Sequence, residues 1–165
     1  MFHVTDIINK GLGVVALRDI SPGERILSER PLATWRSVPG QPDAESAAQI
    51  AAIVAGLRGN ERRAFHALAD VYSDGEKTPT GIWMSNAFRL DGGDCFTPSE
   101  ECTVEAGVFQ TISRINHDCR PNSFAAWNPA LGMQTVHALH EIGRGAEIVI
   151  ACEIASARPM MRGPH

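Results

Sequence analysis

"RINHDCRPNS", residues 114–123, gathers an Asn-His pair, a cysteine and a Pro-Asn turn into one short stretch. None of these suits a helix interior. Asn116, Asp118 and Asn122 readily bond nearby backbone, while Pro121 removes a donor and drives Arg120 out of the helical region. Yet "GVFQTISRI" (107–115) before it and "SFAAW" (123–127) after it read as buried, ordered chain. A stiff polar knot set between two ordered segments is the feature on which the fold turns.

Downstream of the knot, "SFAAW" and "MQTVHAL" (133–139) flank "NPALG" (128–132), the pattern of a β-hairpin. An internal echo follows. "ALRDISPGERIL" (16–27) and "ALHEIGRGAEIV" (138–149) share Ala-Leu, then Ile, Gly and Ile at matching three-residue steps. Both read as strand, Gly-containing turn and strand. Two copies do not make a repeat protein, but they predict similar β-corners at the two ends of the chain.

Upstream, residues 13–35 read as short strands: "GVVAL" (13–17), a turn at "SPGE" (21–24), and the extended "RILSERPLATW" (25–35). After a polar break, Ala47, Ile50, Ala51, Val54 and Leu57 recur at helical spacing, with Asp43 and Ser46 as candidate caps. A second helix is predicted over 60–70, capped by Asn60 and turning Phe65, Leu68 and Ala69 inward. "SDGEKTPTG" (73–81) reads as loop, and the chain beyond it as strand-like again, apart from "LDGGDCFTPSEE" (90–101). The expected fold is therefore an α+β, β-rich domain of short strands, with the helices of 43–70 in a separate lobe.

A chain of 165 residues, 44% hydrophobic and 21% charged, fits one domain with a real core. Its net charge of −4, without a Lys/Arg run, argues against direct nucleic-acid binding. The longest apolar stretch, "AAQIAAIVAGL" (47–57), falls short of the roughly 18 residues of a membrane span. "MFHVTDIINK" lacks the layout of a signal peptide. An intracellular protein with reduced thiols is expected, and Cys95, Cys102, Cys119 and Cys152, irregularly spaced, do not read as a disulfide framework.

Three chemistries compete for these residues. His117 and Cys119, two positions apart, suit a Cys-His nucleophilic pair, but no orienting third group is identifiable. His117, Cys119, His137 and His140 offer metal ligands without zinc-finger spacing. "KGLG" (10–13) lets backbone approach a ligand closely, though on their own Gly11 and Gly13 read better as a plain turn. Tyr72, Trp35, Trp83 and Trp127 read as core or turn-packing aromatics, His66 as a surface or satisfied histidine, and Asn86 as an exposed or backbone-capping amide.

Taken together the pieces resemble the SET-domain family of lysine methyltransferases. "KGLGVVALRDISPGERIL" (10–27) resembles that family's opening cofactor loop and first β-corner, and "RINHDCRPNS" its Asn-His-x-Cys-x-Pro-Asn signature. "ALHEIGRGAEIVI" (138–150) resembles the segment that normally carries Gly-Glu-Glu. The most similar branch is the one with a split SET domain, without its MYND zinc module. The resemblance implies a SET domain over 1–152, with short β-sheets, a pseudoknot and a helical insert at about 40–85. An irregular tail over 153–165 is expected to lack the family's cysteine-rich closing segment.

The resemblance also implies a function: methyl transfer from S-adenosylmethionine to a lysine of a histone or other protein, in nucleus or cytoplasm, with no membrane involved. Lys10, Gly11, Leu12, Gly13, Asn86, Asn116 and His117 match the cofactor-binding residues, and Pro121 and Asn122 those that lock the crossing. Three departures point to an impaired enzyme or a catalytically silent binding module. Cys152 stands where the family has its catalytic tyrosine, and Ala146 replaces the first Glu of Gly-Glu-Glu. No cysteine follows Cys152, so no complete zinc site is expected, and Cys119 is expected to be a reduced, buried thiol.

Overall fold

Residues 1–38, 40–41, 43–90 and 103–151 are described by the computed structural model. In chain order they form β1 (Phe2–Ile7), β2 (Gly11–Ala16), β3 (Arg25–Glu29), β4 (Ala33–Arg36), α1 (Asp43–Gly56), α2 (Gly59–His66) and α3 (Pro79–Asn86). Next come β5 (Phe88–Arg89), β6 (Glu105–Val108), a 3-10 turn at Ile112–Arg114, β7 (Asn116–His117), β8 (Ser123–Asn128), β9 (Met133–Ala138) and β10 (Glu147–Ile150). This is the α+β, β-rich organisation expected.

β1 and β2 pair as an antiparallel hairpin, Phe2 opposite Ala16 and Ile7 opposite Gly11. Asn9 and Gly11 adopt φ of 63° and 75°, the left-handed values a tight hairpin turn requires. The glycine stretch thus lies inside a strand, which begins two residues before "GVVAL", and β1 occupies a stretch where no strand is predicted. The hairpin joins a seven-stranded sheet in the order β1-β2-β10-β8-β9-β3, with β7 also paired to β10. β8 and β9 form the expected hairpin, Ser123 opposite Ala138 and Asn128 opposite Met133.

The echo is physical. Ile20 N donates to Ile142 O at 2.9 Å and Ile142 N returns to Ile20 O at 3.0 Å. Gly23 N donates to Ala138 O at 2.8 Å, and its counterpart Gly145 N donates to Ala16 O, also at 2.8 Å. Ala138 N reaches Glu24 O just as Ala16 N reaches Ala146 O. Both turn glycines have positive φ, 78° and 84°, which explains why each copy keeps one. The two corners clasp each other reciprocally, and Ile20, Ile142 and Ile148 disappear into one core with Val14, Phe109, Ile112 and Val136. Burying each such side chain contributes about 1.5–3 kcal/mol.

A second core lies under the helices. Ile50 and Val54 of α1, Phe65 of α2, Leu68, and Ile82 and Trp83 of α3 pack on Ala33 and Val108 of a three-stranded sheet ordered β4-β6-β5. The helical lobe is therefore built on strands that come from before and after it. Asn60 is not the cap of α2. That helix starts one residue earlier, and Arg58 N donates to Glu61 Oε2 at 3.0 Å. Residues 79–86, expected to be loop running into strand, form α3, with Thr78 Oγ1 accepting Gly81 N and Pro79 at the first helical position. Trp83 is buried and Trp35 meets it edge to face, but Tyr72 is 58% exposed rather than packed.

Candidate functional site

The polar knot is resolved by what surrounds β10. Its first half pairs antiparallel with β2, Glu147 opposite Val15. Its second half runs parallel to β7 and β8, and Ile150 pairs with both His117 and Ser123. β7 and β8 are joined only by residues 118–122, so the signature wraps around the last of the described strands. The side chains hold this crossing. Asn122 Nδ2 donates to Glu147 O at 2.8 Å and its Oδ1 accepts Val149 N at 2.9 Å. Ser123 Oγ donates to Val149 O, and Asp118 N donates to Ile150 O at 3.0 Å. An asparagine offers a donor and an acceptor side by side, which a strand's alternating backbone groups require. Pro121 sets the preceding bend.

Above the crossing, Lys10, Gly13 and Asn116 come together at Glu147, and Leu12 meets Asn116. Asn116 Nδ2 donates to Glu147 Oε1 at 2.8 Å and approaches Leu12 O at 3.5 Å. Lys10 Nζ donates to Glu147 Oε2 at 2.8 Å. The hydrogen bond to Glu147 raises the Lys10 ammonium above its ordinary value, against a lowering by desolvation, and the charges of Glu147 and Asp118 add to the rise. A Cβ on Gly13 would stand 2.6 Å from Ile7 Cγ1 and 2.7 Å from Asn116 Nδ2. Glycine is thus needed there for room, whereas Gly11 is needed for its backbone conformation.

His117, on the same short strand, is exposed, with its Nε2 at 3.6 Å from Cys119 Sγ. Cys119 is an exposed free thiol, not a buried one, because the 118–122 loop passes around the outside of β10. Asn86 lies apart from the Glu147 group. It is 4% exposed, and its Nδ2 donates to Ala69 O at 2.7 Å and Ile82 O at 2.6 Å. Its backbone oxygen accepts Ser113 Oγ, which ties it to the 3-10 turn just ahead of Asn116. Cys152 lies outside the described residues.

Beside the group, sharing only Leu12 of the candidates, opens a cleft of about 770 Å³ between the β1–β2 hairpin, α2 and the 3-10 turn. Leu12 and Ala64 give it apolar wall, Gln110 and Thr111 polar atoms, Arg63 and Arg114 positive charge and Glu61 a negative one. Burial pushes the Arg114 guanidinium down from its ordinary value, and nearby Glu29 opposes this. The cleft is open to solvent along one side.

Two residues central to this geometry were not among the sequence candidates. Glu147 is the retained second acid of the Gly-Glu-Glu pattern, and its position in "GAEIV" was the available signal. Glu29 carries no such mark, since its partners are the amides of 110–112, far along the chain. Among the described residues, no group of three or more His, Cys, Asp or Glu is placed to hold a metal ion, and no helix is long and apolar enough to cross a membrane.

A model of the SET domain matches residues 11–153. Over 149 residues, 90% of this chain, the sequence is 34% identical to the histone-lysine N-methyltransferase set5 of Schizosaccharomyces pombe, and the chain spans 41% of that protein's length. A solved Plasmodium falciparum structure, of a protein put forward as a histone methyltransferase, aligns with a TM-score of 0.48 at 13% identity, covering 91% of this chain and 90% of the other. So loose a likeness adds nothing to the argument. With the family's domain matched along nearly the whole sequence, and its Asn-His and Pro-Asn residues found wrapped around β10, the chain belongs to the SET-domain family.

Proposed function

We propose that this chain is the SET domain of an S-adenosylmethionine-dependent protein-lysine methyltransferase, acting inside the cell on a histone or another protein. The observation that carries the reading is the meeting of Lys10, Gly13 and Asn116 at Glu147, with Leu12 against Asn116, next to a cleft lined by Leu12, Arg63 and Arg114. Similarity to a named histone-lysine methyltransferase supports the reaction class. The cofactor supplies, when bound, an electrophilic methyl group on sulfur. Asn116 and His117, with Lys10 through Gly13, would hold it, Asn86 would support the turn beside it, and Arg63 and Arg114 would offer charge to a carboxylate. The protein's work is alignment, together with exclusion of water so that the acceptor lysine stays neutral.

A second reading, a SET-fold module that binds cofactor and transfers little, is favoured by Cys152. A thiol is far shorter than a phenol and a weak hydrogen-bond donor, so it does not reach or orient the amine as tyrosine would. Misplacement by 1 Å costs around 100-fold in rate. The test is radiolabelled methyl transfer by the 165-residue chain on histones and cell lysate, with Cys152→Tyr alongside. Weak transfer by the wild type, raised by Cys152→Tyr, is expected. Robust wild-type transfer would remove the second reading.

A further inference from the structure

We propose that Glu29 is a positioning residue for the cofactor cleft, an inference that rests on the cofactor reading above. Glu29 ends β3, an edge strand of the large sheet. Its carboxylate accepts three consecutive backbone N–H groups. Gln110 N and Thr111 N reach Oε1 at 3.0 Å, and Thr111 N and Ile112 N reach Oε2 at 3.0 and 2.9 Å. These amides open the 3-10 turn, where backbone donors have no partner of their own, and bonds to an ionised acceptor are the strong kind.

A three-residue turn has little internal hydrogen bonding, so its place is set from outside. Below it, Ser113 Oγ accepts Phe109 N and donates to Asn86 O. Behind it, Arg114 Nε donates to Gln110 O at 3.1 Å, and the Arg114 charge is drawn to Glu29. In front, Gln110, Thr111 and Arg114 line the cleft, and Asn116 follows two residues later. Glu29 thus fixes one wall of the cleft and the approach to the signature without touching the ligand. The comparison residue is Glu24, a carboxylate that accepts Ser21 N and pairs with Arg18 at a turn that is not part of the cleft.

The experiment titrates the full chain with S-adenosylhomocysteine by calorimetry, at a temperature where each variant is folded, and follows hydrogen exchange at residues 110–112. Glu29→Ala is expected to weaken binding about tenfold or more, because ligand must then order the turn itself, and to speed exchange there. Glu29→Gln, which keeps one acceptor oxygen, recovers part of the affinity. Glu24→Ala lowers the melting temperature and binds like wild type. Wild-type affinity in Glu29→Ala, or an equal loss in Glu24→Ala, overturns the proposal. If Glu29→Ala does not fold, Glu29→Gln decides: weaker binding supports the proposal and unchanged binding overturns it. A folded wild type that does not bind overturns the cofactor reading itself, and the inference with it.

Discussion

Gly13 shows how much one missing methyl group organises. An added Cβ would overlap Ile7 and Asn116 and press on Glu147 Oε1 at 3.1 Å. The Asn116 amide would have to leave Glu147, and with it the arrangement that gathers Lys10 and Leu12. Overpacking of this kind costs typically about 1–3 kcal/mol. Gly13→Ala should lower stability by that amount in a denaturant titration and should also weaken cofactor binding measured by calorimetry. Gly11→Ala carries a different penalty, backbone strain at φ of 75°, with nothing within 4 Å of the new methyl. The asymmetry between two glycines a residue apart separates a packing role from a conformational one.

Among the elements, α3 is the most exposed to a single change. Asp70 accepts Tyr72 N and Thr78 N, fixing the loop that feeds the Thr78 cap. Its carboxylate lies where a Gly81 side chain would begin. Gly81→Ala should therefore dislodge Asp70 and fray the helix, lowering the melting temperature although alanine is the better helix former. A melting temperature equal to or above wild type would refute this. The same element marks the limit of what was legible. Gly81, Ile82 and Trp83 are buried in succession, so α3 has no polar face and no helical period to read. The capping threonine and the proline after it were the only signals, and they read equally well as loop. α1, with Ile50 and Val54 one turn apart on its inner face, was plain. β5 and β7, two residues each, exist only through their partners. Of the residues that "KGLG" and "RINHDCRPNS" pointed to, Lys10, Gly13 and Asn116 meet at Glu147, whereas His117 is exposed. The buried amide of Asn86 and the exposed thiol of Cys119 depend on tertiary packing that spacing does not encode.

At the scale of the whole molecule, the crossing of 116–123 over β10 joins the beginning, middle and end of the described chain. β2 flanks β10 on the side of Lys10–Gly13, while β8 carries it into the β9–β3 half of the sheet. Asn122 alone bonds two backbone groups of β10. Asn122→Ala leaves both unpaired and should cost about 1–3 kcal/mol or more. Asn122→Asp, which keeps the acceptor for Val149 N and loses the donor to Glu147 O, should fall between. Chemical denaturation of the three proteins gives the order, and equal midpoints would show that the side chain does not hold the crossing.

The most direct measurement is a calorimetric titration of the folded 165-residue chain with S-adenosylhomocysteine, run beside Gly13→Ala. Saturable binding by the wild type, clearly weakened in the folded variant, is the predicted result. A folded wild type that gives no binding, or a variant that binds equally well, would contradict the assignment of the Lys10–Gly13 and Asn116 junction as a cofactor site.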